Sequence, residues 1–196
     1  MSKNGNPKQK FIETAHGLFA ERGYHGVSLA DVAKELGLTK QAIIYHFKTK
    51  EALYGAVLAQ LAERLDVLTE KTVVDGEAPE QRLKSFVNGL SELMLHHNED
   101  ARLIARELLD NMDRAPQSRK WYLRGFLDTS VALLAALPAM RGKDQDQLST
   151  IAYQLIGSVN YFAISFPTLS GIWGPERLEA MKANFTTELL DGFTTT

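Results

Sequence analysis

The chain has 196 residues, of which 44% are hydrophobic, and its formal net charge at pH 7 is −2. This length and composition exclude an intrinsically disordered protein and suffice for a small domain followed by a larger one. The chain has no cysteine, which excludes disulfides, thiolate metal ligands and cysteine nucleophiles. The N-terminal segment MSKNGNPKQK lacks the apolar stretch of a signal peptide, and no apolar run reaches membrane-spanning length, so we expect a soluble, cytoplasmic protein without membrane contact.

The charge is unevenly distributed along the chain. Residues 1–50 contain eight Lys or Arg against four Asp or Glu, a formal charge of +4, and the remaining residues sum to −6. A basic segment followed by an acidic remainder predicts that the first 50 residues bind a polyanion and that the rest of the chain is repelled by it.

The first predicted helix begins at Pro7, which suits a first helical position, and ends at Gly23. Its apolar residues recur at helical spacing and form one stripe. That stripe consists of Phe11, Ala15, Leu18 and Phe19.

The segment SLADVAKELGLTKQAIIYHFKTK, from Ser28 to Lys50, predicts two short helices separated by a tight turn. Ser28 with Asp31 three residues later forms an acidic variant of the capping box, and Gly37 provides a residue that tolerates positive φ. Thr39 can cap the next helix through its hydroxyl. Two helices joined by a short turn containing glycine are typical of the helix-turn-helix, whose second helix enters the DNA major groove.

The second of these helices has a polar, basic and aromatic outer side, as a groove-reading helix requires. Its N-terminal residues are expected near base edges, where glutamine pairs bidentately with adenine. Lys50 stands at the start of a further helix, beside free backbone amides that suit a phosphate. The predicted DNA-binding residues are Ser28, Thr39, Lys40, Gln41, Ala42, Tyr45, His46 and Lys50.

Residues 11–57 resemble the N-terminal domain of the TetR family of transcriptional regulators. The resemblance rests on Glu21-Arg22-Gly23-Tyr24, the Gly37–Lys40 turn, Tyr45-His46-Phe47 and Lys50-Glu51-Ala52-Leu53, and it covers about a quarter of the chain. Many family members have two consecutive aromatic residues on the recognition helix, whereas this chain has Ile44 before Tyr45. Ile44 could pack on a sugar or a thymine methyl group, or it could turn into the domain core.

The rest of the chain reads as helices separated by proline, glycine and polar segments, so the predicted fold is all-α with about nine helices. A helix from Thr49 through Leu68 is expected to connect a helix-turn-helix domain, residues 1–53, to a larger helical domain, residues 54–196. The last two helices are predicted at about 146–166 and 175–193, split by the segment PTLSGIWG.

The last two helices carry more apolar residues than the core of a single chain needs. In the resemblance they pair across a two-fold axis as a four-helix bundle, which implies a homodimer. A symmetric dimer reads two half-sites roughly 34 to 36 Å apart, so the expected partner is a palindromic DNA operator. The predicted interface residues are Ile151, Leu155, Val159, Phe162, Phe185 and Leu189.

The resemblance also implies a small-molecule effector, of unknown identity, that binds the helical body and changes DNA affinity by favouring one spacing of the two recognition helices. A site lined mostly by apolar side chains with a few polar groups would suit such a molecule, although the core of any helical domain has the same composition. The candidates are Phe86, Leu90, Met94, Leu108, Met112, Trp121, Tyr122, Phe126, Tyr153, Asn160 and Tyr161.

No catalytic constellation, phosphate loop or dinucleotide motif is present in the sequence, so neither enzymatic activity nor a cofactor is predicted. Glu92 and His96, with His97 and Glu99 nearby, have a spacing seen in metal sites, but the other histidines lie in the N-terminal domain, so no metal is predicted. The predicted function is a transcriptional regulator, favoured as a repressor. The alternative is a helical ligand- or metal-binding protein whose N-terminal domain contacts another protein.

Overall fold

The structure is a computed structural model and describes residues 6–72, 74, 76–110 and 122–194. These residues form nine α-helices and one short 3-10 turn and contain no strand, which confirms the all-α prediction. The helices are α1 (Pro7–Arg22), α2 (Leu29–Glu35), α3 (Lys40–His46), α4 (Lys50–Thr72), α5 (Pro79–His96), α6 (Asn98–Asp110), α7 (Arg124–Ala135), α8 (Gln145–Trp173) and α9 (Pro175–Thr194).

The described residues divide into two compact units, with boundaries inside α4, inside α6 and between residues 122 and 123. The first unit comprises residues 6–63, 102–110 and 122, and the second comprises the described residues from 64 to 101 and from 123 to 194. The domain boundary between residues 53 and 54 remains a prediction.

The first unit is built on α1, α2 and α3, which contact one another. Each helix contributes its apolar stripe to one core, because burial removes those side chains from water. The aromatic rings of Phe19 and Tyr54 meet edge to face at 4.8 Å. The side chains at the centre, all less than 2% exposed, are Phe11, Phe19, Val32, Ile43 and Leu53.

In the second unit, α8 packs against α5, α7 and α9. The rings of Phe86 on α5 and Phe126 on α7 lie 5.6 Å apart, and Phe162 on α8 stacks on Phe185 of α9 at 4.1 Å. These contacts form the core of the helical body.

Helix α8 is longer than predicted. It runs without a break from Gln145 to Trp173, through Pro167, so the predicted end near residue 166 is wrong. Proline in a helix removes one N–H donor and crowds the carbonyl four residues earlier, which is why the sequence predicted an end there. The side-chain amide of Asn98 donates to that carbonyl, on Ala163, at 2.6 Å and thereby replaces the missing donor.

Helix α8 is also more apolar than the sequence analysis expected. It contains an 18-residue stretch of mean hydropathy 1.2 that is long and apolar enough, by composition alone, to cross a membrane. Only 28% of that stretch is buried within the chain. The expectation that no apolar run reaches this length is therefore wrong, because serine, tyrosine and glycine interrupt the run of aliphatic residues without adding charge.

Candidate nucleic-acid interface

The start of α2 is held by the predicted capping box. The Ser28 hydroxyl oxygen accepts from the Asp31 N–H at 3.2 Å, and the Asp31 carboxylate accepts from the Ser28 N–H at 2.8 Å and from its hydroxyl at 2.7 Å. These hydrogen bonds favour the ionised carboxylate and lower the pKa of Asp31 below its ordinary value. Gly37 closes the following turn with a φ of +67°. The sequence therefore predicted this helix-turn-helix entry correctly.

Helix α3 has one buried and one exposed side. Its first turn is capped by the Thr39 hydroxyl oxygen, which accepts from the Ala42 N–H at 3.4 Å. Ile43 is completely buried and Phe47, the residue after the helix, is 3% exposed, so both anchor the helix to the core. The outward side chains of the helix are Lys40, Gln41, Ile44 and Tyr45.

The predicted DNA-binding residues all belong to the first unit but differ in how exposed their side chains are. Tyr45 is the most open, at 84% exposure. His46 is half-buried, with its ring 5.8 Å from Phe11 and 5.0 Å from Tyr45, and Ala42 is also half-buried. The exposed residues among the predicted set are Ser28, Thr39, Lys40, Gln41 and Tyr45.

Lys50 is half-buried and folds back onto the first unit. Its Nζ donates to the backbone carbonyl of Tyr24 at 2.9 Å and lies 4.2 Å from the centre of the Tyr24 ring. The Tyr24 hydroxyl donates to Glu51 at 2.5 Å, and this hydrogen bond lowers the pKa of the Glu51 carboxyl. Because an ammonium group has three donors, Lys50 can hold Tyr24 and still offer an N–H to a phosphate.

Sequence reasoning missed this arrangement around Tyr24. The residue is 26 positions before Lys50, and it supplies a carbonyl acceptor, a ring face and a hydroxyl donor to the start of α4. Its place in the Glu21-Arg22-Gly23-Tyr24 motif was the available signal. Tyr24 is therefore a positioning residue for the start of α4.

The described members of the predicted effector set are divided between the two units. Four of them pack in the core of the second unit, while Asn160 donates to the backbone carbonyl of Ala101 at 3.1 Å. Leu108 is 54% exposed and Tyr122 47% exposed, both in the first unit. Met112 and Trp121 lie outside the described residues. The four core residues are Phe86, Leu90, Met94 and Phe126.

Tyr153 and Tyr161 were predicted as lining residues of an internal site, and this placement is wrong. Both lie on the exposed side of α8, with exposures of 69% and 74%. They stand eight positions apart, which is two helical turns and some 80° of rotation, so they share a broad face with Gly157 between them.

The predicted dimer residues on α8 also need correction. Leu155, Val159 and Phe162 are between 1% and 5% exposed and pack inside their own unit, so they are not available to a partner chain. Their spacing correctly indicates one helical face, but α5, α7 and α9 cover that face. The half-buried members of the predicted set are Ile151, Phe185 and Leu189.

Two surface grooves occur on the second unit. One of about 400 Å³ lies between α5 and α9, and its lining includes Ser91, Glu92 and Lys182. The other, of about 600 Å³, lies along α9 beside Ser158 of α8 and is lined partly by Phe185 and Leu189. The second groove therefore includes two of the predicted dimer residues.

Acidic and histidine side chains in the described ranges form no group of three or more that could hold a metal ion. Glu107 is buried and accepts a hydrogen bond from the Tyr54 hydroxyl at 2.6 Å. The buried Asp100 pairs with Arg64. Both carboxylates thus have structural partners within their own units.

Comparison with known proteins identifies the N-terminal region. Residues 11–57 match the family model described as bacterial regulatory proteins, tetR family. The chain is 23% identical over 181 residues to the HTH-type transcriptional regulator RutR of Escherichia coli K12, covering 92% of this chain and 85% of that one.

A second relative matches over a shorter stretch. It is the biofilm operon icaADBC HTH-type negative transcriptional regulator IcaR of Staphylococcus aureus, 43% identical over 47 residues, which are 24% of this chain and 25% of IcaR.

A solved structure shares the fold at low sequence identity. The structure of AibR in complex with isovaleryl coenzyme A and operator DNA superposes with a TM-score of 0.65 at 19% identity, covering 81% of this chain and 86% of that one. With the helix-turn-helix geometry of α2 and α3, these matches identify residues 11–57 as an N-terminal DNA-binding domain of the tetR family of bacterial regulatory proteins.

Proposed function

We propose that this protein is a cytoplasmic repressor that binds a palindromic operator as a homodimer and leaves it when a small-molecule effector binds. In this proposal residues 1–53 read DNA, and residues 54–196 bind the effector and dimerise. The observation that carries the proposal is the exposed side of α3, where Lys40, Gln41 and Tyr45 project from a helix whose other side is anchored by buried Ile43.

The charge distribution supports DNA as the partner. The exposed cations of the first unit include Lys40 and Lys48, and they fall in the segment whose formal charge is +4. Lysine contacts to phosphate supply affinity for any duplex, whereas base-edge contacts by α3 supply sequence preference.

The exposed face of α8 supports the homodimer. Tyr153 and Tyr161 are large side chains left open to solvent, Gly157 between them permits close approach, and only 28% of the apolar 18-residue stretch of α8 is buried within the chain. A second copy of the chain, rather than lipid, is the proposed cover, since a two-fold related pair of DNA-reading units matches a palindromic site.

Repression and effector release are proposed from the relatives. IcaR is described as a negative regulator, and AibR was solved with both isovaleryl coenzyme A and operator DNA. An effector changes DNA affinity only to the extent that it binds one conformation of the dimer more tightly than another.

The first experiment is selection of bound sequences from a random duplex pool by the purified full-length protein at two salt concentrations. We expect enrichment of a palindrome, and affinity for it that falls with a log-log slope of about −0.9 per neutralised phosphate. No enrichment at either salt concentration would contradict the proposal and favour a protein partner for the N-terminal domain.

The selected operator then serves to test repression and release. Placed between a promoter and a reporter gene, it should lower expression when the protein is present, and a compound that dissociates the purified complex should restore expression. An increase in expression on adding the protein would identify an activator instead.

A further inference from the structure

Ile44 is an apolar side chain on the reading side of α3. It is 40% exposed, whereas its neighbour Ile43 is completely buried, so the helix turns one isoleucine into the core and the other outward. The structure thus answers one question left by the sequence, because Ile44 does not turn into the domain core.

The position of Ile44 relative to Gln41 matters for what it can reach. Residues three apart on a helix lie on the same side, with Cβ atoms about 5 to 6 Å apart. Gln41 and Lys40 are both exposed and flank Ile44 one turn earlier. If Lys40 and Gln41 enter the major groove of DNA, Ile44 enters the same groove beside them.

The major groove offers few apolar groups to such a side chain. Hydrogen-bond donors and acceptors line the base edges, and the C5-methyl group of thymine is the apolar feature among them. Isoleucine is branched at Cβ and therefore has few χ1 rotamers in a helix, so its methyl groups take a defined position.

We infer that Ile44 is a specificity-determining residue that packs on the C5-methyl group of a thymine in each operator half-site. The thymine belongs to the A·T pair whose adenine Gln41 contacts, or to the adjacent pair, because side chains three apart on α3 reach neighbouring base edges. This inference rests on the proposed function, since it requires DNA binding by α3.

The test replaces each thymine of the selected operator, one symmetric pair at a time, by deoxyuridine, which lacks only the methyl group. For the wild-type protein we expect one thymine pair at which the replacement weakens binding by about fourfold per half-site, the value of burying one methyl group. With Ile44→Ala the same replacement should change affinity less than about 1.5-fold, because the methyl group has lost its contact.

Leu38 provides the matched control. It is 46% exposed and lies in the turn just before α3, so Leu38→Ala removes a similarly exposed apolar side chain close in sequence to α3. This variant should keep the fourfold effect. Circular dichroism and melting curves should show that both variants fold, since neither residue contributes a buried core side chain.

The outcomes separate this inference from the proposed function. If the wild type selects an operator but no thymine in it is sensitive to loss of the methyl group, the inference is overturned and the proposed regulator stands. The same holds if Ile44→Ala keeps the full effect of deoxyuridine replacement. If Leu38→Ala loses the effect of deoxyuridine replacement and Ile44→Ala keeps it, the thymine contact belongs to Leu38 and the inference is overturned. A wild-type protein that selects no operator would overturn both.

Discussion

The side-chain amide of Asn98 donates a 2.6 Å hydrogen bond to the backbone carbonyl of Ala163, four residues before Pro167. That carbonyl would accept from the residue-167 N–H in an unbroken helix, and proline has none. A residue at the start of α6 therefore completes the hydrogen bonding of α8, and α8 continues to Trp173.

The first prediction is that Asn98 and Pro167 are energetically coupled. Asn98→Ala should lower the free energy of unfolding by about 1 to 2 kcal/mol, because it leaves a partly buried carbonyl without a donor. In a Pro167→Ala background the new backbone N–H can serve that carbonyl, so the same substitution should cost much less. Urea unfolding of the four proteins at one protein concentration measures the coupling. Equal costs in the two backgrounds would show that the Asn98 hydrogen bond does not compensate for the proline.

The second prediction distinguishes reading residues from phosphate contacts. Gln41→Ala and Lys40→Ala should reduce the preference for operator over random duplex by roughly 5- to 100-fold, as expected for a lost base contact. Lys50→Ala should weaken binding to both duplexes alike and reduce the salt slope by about one. Titrations of each variant with both duplexes measure the ratios. An unchanged ratio for Gln41→Ala would remove Gln41 from the base-reading set.

A third prediction concerns the self-association surface. Tyr161→Glu places a charge on the exposed face of α8 and should convert the dimer to a monomer at micromolar concentration, because the charge would be buried without a partner. Tyr45→Glu is the matched control, since Tyr45 is also a largely exposed tyrosine but lies on α3. That control should remain dimeric while losing DNA binding. Sedimentation velocity measures the masses, and a dimeric Tyr161→Glu protein would place the interface elsewhere.

The fourth prediction is an acid dependence of stability. Hydrogen bonds from Ser28 lower the pKa of Asp31, and the Tyr24 hydroxyl lowers the pKa of Glu51. A carboxyl whose pKa is lower in the folded state stabilises the fold fully above its unfolded pKa, about 4, and loses this contribution as the pH falls through the folded value. At pH values below about 4 the melting temperature should therefore decrease, and it should decrease less steeply in Asp31→Asn and Glu51→Gln. Identical slopes in wild type and variants would show that these two groups do not contribute.

The helix-turn-helix was predictable because its signals are local. The Ser28–Asp31 capping box, the positive φ of Gly37 and the Thr39 cap each act within three or four residues, so the sequence indicates them directly. The start of α1 at Pro7 follows for the same reason.

By itself, the sequence determined the all-α class, the caps and the glycine turn around α2 and α3, and the basic N-terminal segment. Only the tertiary structure decided that Pro167 does not end α8, that Lys50 is held by Tyr24, and which side of α8 is covered. Helical periodicity shows which residues share a face, but it does not show which face the other helices cover, and the packing of α5, α7 and α9 selects the face of α8 that is buried. Contacts between residues far apart in the chain, such as Asn98 with Ala163, depend on that packing and leave no local pattern.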